Sequence, residues 1–123
     1  MQQIDLTVET EYEETWEFSG EGSDMSSADI LMEVRGTYGH TSAAFSISSD
    51  APTVNGSSIT VDPVDTNKVY LLITPEETES LSAISKTQKY LWDVRVEYID
   101  GNVKNYFVGS EFYLHPKAAR KAP

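Results

Sequence analysis

The residues of this chain that could perform chemistry are two histidines and two pairs of adjacent glutamates. His40 and His115 lie far apart in loop-like stretches, and the spacing supplies no further ligands to complete a metal site. Glu13-Glu14 would point to opposite faces of a strand, and Glu76-Glu77 suit the first turn of a helix, where carboxylates face the positive end of the helix dipole. There is also no Gly-x-Ser-x-Gly nucleophile elbow. We therefore expect no catalytic residue, and the chain is predicted not to be an enzyme.

One loop carries closely spaced oxygen ligands of the kind that calcium prefers. Asp62, Asp65 and Asn67 could hold the ion, but the loop lacks the glycine and the bidentate terminal glutamate of a known calcium loop. The sequence also has no glycine-rich phosphate cradle. We expect no cofactor and no metal, with calcium at this loop as the alternative.

The net charge of −11 is unevenly distributed along the 123 residues. The first 34 residues contain ten acidic residues and no Lys or Arg, whereas the last twelve contain Lys117, Arg120 and Lys121 and no acid. A net-acidic surface disfavours nucleic acids and anionic membranes as partners. The acidic third is interpreted as a solvated face or as a match to a basic partner surface.

Length and composition indicate one globular domain. No apolar run is long enough to span a bilayer, and the N-terminal residues do not resemble a secretion signal. The absence of cysteine excludes disulfides and is compatible with folding in a reducing cytoplasm.

Hydrophobic residues alternate with polar ones in short segments separated by turn residues, which is typical of β-strands. We predict an all-β fold, an antiparallel immunoglobulin-like β-sandwich of about eight short strands with one short helix between late strands. Residues 1–114 are predicted to form a single domain, and residues 115–123 a mobile basic tail. The predicted strands are residues 4–8, 12–18, 30–35, 45–48, 59–61, 69–73, 90–98 and 103–114.

Local signals refine the late elements. Thr74 and Glu77 predict a capping box around a helix that begins at Pro75. The apolar run 69–73 is typical of a strand covered on both faces. Asp100-Gly101 predicts a two-residue hairpin turn, with Glu97 opposite Lys104.

We expect Gly109 to form a bulge, and we expect Trp16 and Trp92 to belong to the core.

Four segments of the C-terminal half follow one another in a recognisable order: 73–78 (ITPEET), 90–96 (YLWDVRV), 100–103 (DGNV) and 108–112 (VGSEF). Over about residues 69–120 this order resembles short phage-encoded β-sandwich proteins from the tail, baseplate and fibre-attachment genes of tailed bacteriophages. The resemblance implies a non-enzymatic virion structural component, made in the host bacterial cytoplasm. It would act as an adaptor that docks onto tail, neck, fibre or capsid subunits, as a homo-oligomer in the assembled particle.

Two other functions stay open: a decoration protein on the capsid exterior, and a carbohydrate- or receptor-binding module with Tyr38 as its first candidate residue. The strand 111–114 is expected to offer an exposed edge to another chain's sheet, and the basic tail to lie across the acidic stretch of a neighbour. The candidate partner-binding residues are Glu11, Glu13, Glu14, Glu17, Tyr38, Glu111, Tyr113, Lys117, Arg120 and Lys121.

Overall fold

A computed structural model describes residues 3–36, 43–81 and 86–116. Within these ranges the chain is almost entirely β, and its one helical element is a 3₁₀ helix at Pro75–Leu81. The predicted all-β class is therefore confirmed. The strands are β1 (Ile4–Thr7), β2 (Tyr12–Glu17), β3 (Asp29–Gly36), β4 (Ala43–Ser48), β5 (Ser58–Val61), β6 (Lys68–Ile73), β7 (Gln88–Glu97) and β8 (Val103–His115).

The strands form two sheets that bring the start of the chain beside its end. The larger sheet has the order β1-β8-β7-β3-β4, and the smaller sheet has the order β2-β6-β5. All neighbours are antiparallel except β1 and β8, which run parallel from Ile4 opposite Phe112 to Thr7 opposite His115. A crossover of residues 49–57 carries the chain from β4, at one edge of the larger sheet, to β5, at one edge of the smaller sheet.

The core lies between the two sheets because alternate residues of each strand point inward. Trp16 of β2 and Trp92 of β7 are 2% and 1% exposed, so the prediction that both belong to the core is confirmed. Their rings stack across the sheets with centroids 5.9 Å apart. Phe107 of β8 packs against both, 5.5 Å from Trp16 and 5.0 Å from Trp92. These aromatic contacts join the two layers.

The strand β6 is covered on one face only, contrary to the prediction from its apolar run. Val69, Leu71 and Ile73 are buried, whereas Tyr70 between them is 38% exposed. The outer face of the smaller sheet therefore meets solvent.

The predicted capping box does not form at the 3₁₀ helix. The Thr74 hydroxyl donates to the Asn55 carbonyl (2.7 Å), and the Glu77 carboxylate accepts bonds from the Thr53 hydroxyl (2.5 Å) and the Asn55 amide (3.2 Å). Both side chains that would have capped the helix are thus hydrogen-bonded to the crossover. The first turn closes instead through a 3.1 Å bond from the Glu77 N–H to the Thr74 carbonyl, the i to i+3 pattern of a 3₁₀ helix.

The predicted hairpin between β7 and β8 is present, but its register differs by one residue. Glu97 lies opposite Val103 rather than Lys104. Lys104 Nζ instead donates to the Glu21 carbonyl at 3.1 Å.

The turn explains this difference. A two-residue type I′ turn needs positive φ at both central residues, but of Asp100 and Gly101 only Gly101 has it, at 88°. The Tyr98 N–H donates to the Asn102 carbonyl at 2.8 Å. The loop therefore has three residues, and its glycine forms a bulge.

A second irregularity interrupts β8 where Gly109 predicts a bulge. Residues 107–109 lie opposite Asp93 alone, between the pairs Val94–Tyr106 and Trp92–Ser110. This confirms the predicted bulge, in which Gly109 has a φ of 71°.

Candidate interaction surfaces

The acidic candidate residues lie on and beside β2, one edge of the smaller sheet. Glu11, Glu13 and Glu17 are exposed, and we call these three side chains the acidic strip. Glu14 is half-buried, and the Tyr12 hydroxyl donates to its carboxylate at 3.1 Å. Burial, and then the Glu14 charge, raise the pKa of Tyr12. The structure therefore places Glu14 apart from the acidic strip.

Glu111 and Tyr113 lie on the other sheet, and the expected free edge at 111–114 is wrong. β8 pairs with β7 on one side and, along Phe112–His115, with β1 on the other. The Tyr113 hydroxyl donates to Glu111 at 2.5 Å, and Lys89 Nζ lies 3.0 Å from the same carboxylate. The Tyr113 bond first, and then Lys89, lower the pKa of Glu111. These side chains can contact a partner, but this part of the β8 backbone cannot add a strand.

His115 belongs to β8 rather than to a loop, and it contacts a hydroxyl and a carboxylate. Its Nδ1 lies 3.0 Å from Thr87 Oγ1, and its Nε2 lies 2.9 Å from Asp5 Oδ1. The order hydroxyl, imidazole, carboxylate is that of a nucleophilic triad. However, the side chains of His115 and Asp5 are 38% and 53% exposed, and such catalysis depends on donors preorganised in a water-excluded site. The contact fastens β1 to the end of β8, and it lowers the pKa of Asp5.

The loop considered for calcium uses its oxygen atoms to build its own turn. Asp62 Oδ1 accepts bonds from the N–H groups of Val64 and Asp65, both at 2.9 Å, and Oδ2 accepts the Tyr70 hydroxyl. The Asn67 amide donates to the Phe18 carbonyl at 3.1 Å. The described residues contain no group of three or more acidic or histidine side chains placed to hold a metal ion.

A groove of about 400 Å³ opens between residues 21–28 and the β7–β8 turn. The Tyr98 hydroxyl donates to the Gly22 carbonyl at 2.6 Å across its base. Ile99 lies at the groove and is 88% exposed. An exposed isoleucine beside a shallow groove suits contact with a protein surface.

Four candidates, Tyr38, Lys117, Arg120 and Lys121, lie outside the described residues, as does His40. Sequence reasoning missed the groove, because it joins residues 21–28 to the distant β7–β8 turn and no local pattern predicts such a contact.

Comparison with protein-family models and with curated proteins finds no match for this chain. In the described part of the chain, no helix has the length and apolar character needed to cross a membrane.

Proposed function

We propose that this protein is a non-enzymatic structural component of a phage virion, an adaptor that docks onto neighbouring subunits of the tail, neck or fibre-attachment region. The non-enzymatic part is supported by three described side chains that could act in catalysis or bind a metal, each of which is hydrogen-bonded within the fold. Glu77 holds the crossover, Asp62 holds the β5–β6 turn, and His115 fastens β1. The resemblance of residues 69–120 to phage tail and baseplate proteins supports the virion part.

We also propose that the two sheets form an immunoglobulin-like sandwich. The neighbours β8-β7-β3 and β2-β6-β5 correspond to the G-F-C and B-E-D strands of that fold. Trp16 on β2 and Trp92 on β7 then occupy the strands that carry the inter-sheet disulfide in antibody domains. Stacked indoles would replace that covalent link in a chain that has no cysteine.

The acidic strip is the proposed docking surface for a basic neighbour. Pairwise co-expression with the products of the flanking genes, followed by affinity purification at low and moderate salt, tests this. We expect a stoichiometric complex with a virion protein, weakened when Glu13→Gln and Glu17→Gln are combined. The matched control combines Glu76→Gln and Glu79→Gln, two exposed acids on the 3₁₀ helix. Recovery of the chain alone from every pair would contradict the proposal.

A further inference from the structure

The crossover between the two sheets contains Asn55-Gly56, and asparagine followed by glycine is the sequence most prone to deamidation. In that reaction the backbone nitrogen of the following residue attacks the asparagine side-chain carbonyl, and glycine leaves the approach open because it has no side chain. The other three asparagines of the chain precede larger residues, in Asn67-Lys68, Asn102-Val103 and Asn105-Tyr106. The chain thus contains one fast sequence and three slow ones that serve as internal references.

The fold holds both nitrogen atoms that take part in the reaction. The Gly56 N–H, which supplies the attacking nitrogen, donates to the Thr53 carbonyl at 2.9 Å, and this bond retains the proton that the nitrogen must lose. Asn55 Nδ2, the leaving nitrogen, donates to Glu77 Oε2 at 3.2 Å. Asn55 is exposed, so water reaches it, whereas Glu77 is buried. Reaction at Asn55 therefore requires these two hydrogen bonds to open.

The backbone conformation adds a second restraint. The bond from the Gly56 N–H to the Thr53 carbonyl closes a four-residue β-turn in which Asn55 is the third residue. Neither Val54 nor Asn55 has a positive φ, which fits a type I turn with ψ near 0° at its third residue. Ring closure needs the Asn55 Cβ to be eclipsed with the Gly56 nitrogen, at a ψ far from that value. The turn must therefore open before the ring can form.

We propose that Asn55 is a modification site: its deamidation is slow while the crossover is hydrogen-bonded to Glu77, and it releases the crossover once it occurs. Hydroxide removes the Gly56 amide proton, and the nitrogen forms a bond to Asn55 Cγ. The Cγ–Nδ2 bond breaks, and the side-chain nitrogen takes up a proton from water and leaves as ammonia. Water then opens the succinimide at either carbonyl to give aspartate or isoaspartate. The inference is independent of the proposed virion role.

The product disrupts the contact that holds the crossover. The Asn55 amide is a hydrogen-bond donor to the Glu77 carboxylate, whereas an ionised aspartate at this position only accepts. Two carboxylates at this distance repel each other, and one of them is buried. The isoaspartate product also lengthens the backbone by one carbon, which changes the turn. Deamidation thus replaces an attraction between the crossover and the 3₁₀ helix with a repulsion.

Peptide mass spectrometry after incubation at mildly alkaline pH measures conversion at each asparagine. In the chain unfolded in guanidinium chloride, we expect Asn55 to convert faster than the three reference asparagines, and in the native chain its conversion should be much slower. An unfolded chain in which Asn55 converts no faster than the others would overturn the site. Equal rates at Asn55 in the folded and unfolded chains would overturn its control by the fold.

Two variants of the native chain test whether Glu77 provides this control. Glu77→Ala removes the acceptor and should speed conversion of Asn55 by about tenfold, the factor expected for one hydrogen bond to a charged group. Gly101→Ala is the control, because it strains a turn outside the crossover. It should leave the rate unchanged. A Glu77→Ala rate equal to the native rate, or an equal acceleration in both variants, would overturn the role of Glu77.

Substitution of the product residue tests the effect of the modification. Asn55→Asp should lower the urea concentration at the midpoint of unfolding. Combining it with Glu77→Gln should recover most of the loss, because a glutamine amide can donate to the new carboxylate. Asn105→Asp, at an exposed position on β8, is the control and should not lower the midpoint. An Asn55→Asp chain as stable as the native one, or no recovery in the double variant, would overturn the proposed repulsion.

Discussion

At the scale of single residues, the Asp62 carboxylate accepts the hydrogen bonds that form a turn. The Tyr70 hydroxyl, with the N–H groups of Asp65 and Val64, lowers the pKa of Asp62 from 3.8 to about 2. Each of these bonds favours the ionised form. The carboxylate that could have bound calcium therefore stabilises the β5–β6 connection.

We predict that Tyr70→Phe raises the pKa of Asp62 toward 3.8, because it removes the hydroxyl bond that contributes most to the shift. The folded-state pKa is depressed, so the contact stabilises the native state fully above about pH 4 and is lost as pH falls toward 2. The measurement is a carbon-detected NMR titration of the Asp62 carboxyl in both proteins. Thr60→Ala, on the neighbouring strand, is the control. Coincident titration curves for the native and Tyr70→Phe proteins would contradict the assigned cause.

Glu77 is the buried carboxylate that ties the crossover to the 3₁₀ helix. It is 9% exposed and accepts bonds from Thr53 and Asn55. We predict that Glu77→Ala lowers the free energy of unfolding by about 1–3 kcal/mol, because two part-buried donors lose their acceptor. The neighbouring exposed Glu76, changed to Ala, should cost less than about 0.5 kcal/mol. Urea denaturation measures both, and equal effects would show that Glu77 does not hold the crossover.

At the scale of elements, the β7–β8 turn depends on one glycine. Gly101 has a φ of 88°, and a Cβ built there would meet no heavy atom within 4 Å. We predict that Gly101→Ala destabilises the fold by about 1–2 kcal/mol through backbone conformation alone. Gly101→Asn should cost less, because asparagine tolerates the left-handed region better. Thermal unfolding measures both variants; an alanine variant as stable as the native protein would mean that the turn adopts another conformation.

The positions of the strands could be predicted from the sequence more reliably than the strands with which they pair. Alternation predicts most strands of the described residues because the burial of one face is a local pattern, and the apolar run 69–73 predicts β6. Asp100-Gly101 also predicts the turn. The number of residues in the loop depends on φ at Asp100, and the sequence does not determine that angle because aspartate is compatible with both loop types. The three-residue loop shifts the register of Glu97 by one residue.

Contacts between distant segments account for the other errors. Thr74 and Glu77 matched a capping box, yet the crossover at Asn55 and Thr53 supplied their partners. The expected free edge at 111–114 failed because β1 pairs there in parallel, joining residues more than a hundred positions apart. No local pattern reports such a pairing. For the same reason, the candidate contact residues divide between two sheets rather than forming one site.

At the scale of the whole molecule, the uneven distribution of charge predicts one mode of association between copies. The acidic strip on the smaller sheet and the basic residues Lys117, Arg120 and Lys121 offer an attraction between copies that salt would screen. Association through apolar or hydrogen-bonded surfaces would not be reversed by salt in this way. Ionic strength therefore separates association by charge from association by other contacts.

We predict that a chain ending at Pro116 loses any association that salt reverses and keeps any that salt does not affect. The truncation removes three positive charges and no strand residue, since β8 ends at His115. The variant with Lys117→Gln, Arg120→Gln and Lys121→Gln keeps the length and should behave as the truncation does, because charge alone is responsible. Light scattering at low and moderate salt measures all three proteins. Salt-reversible assembly that is unchanged in both variants would remove the basic residues from the contact and leave the acidic strip to bind a different protein.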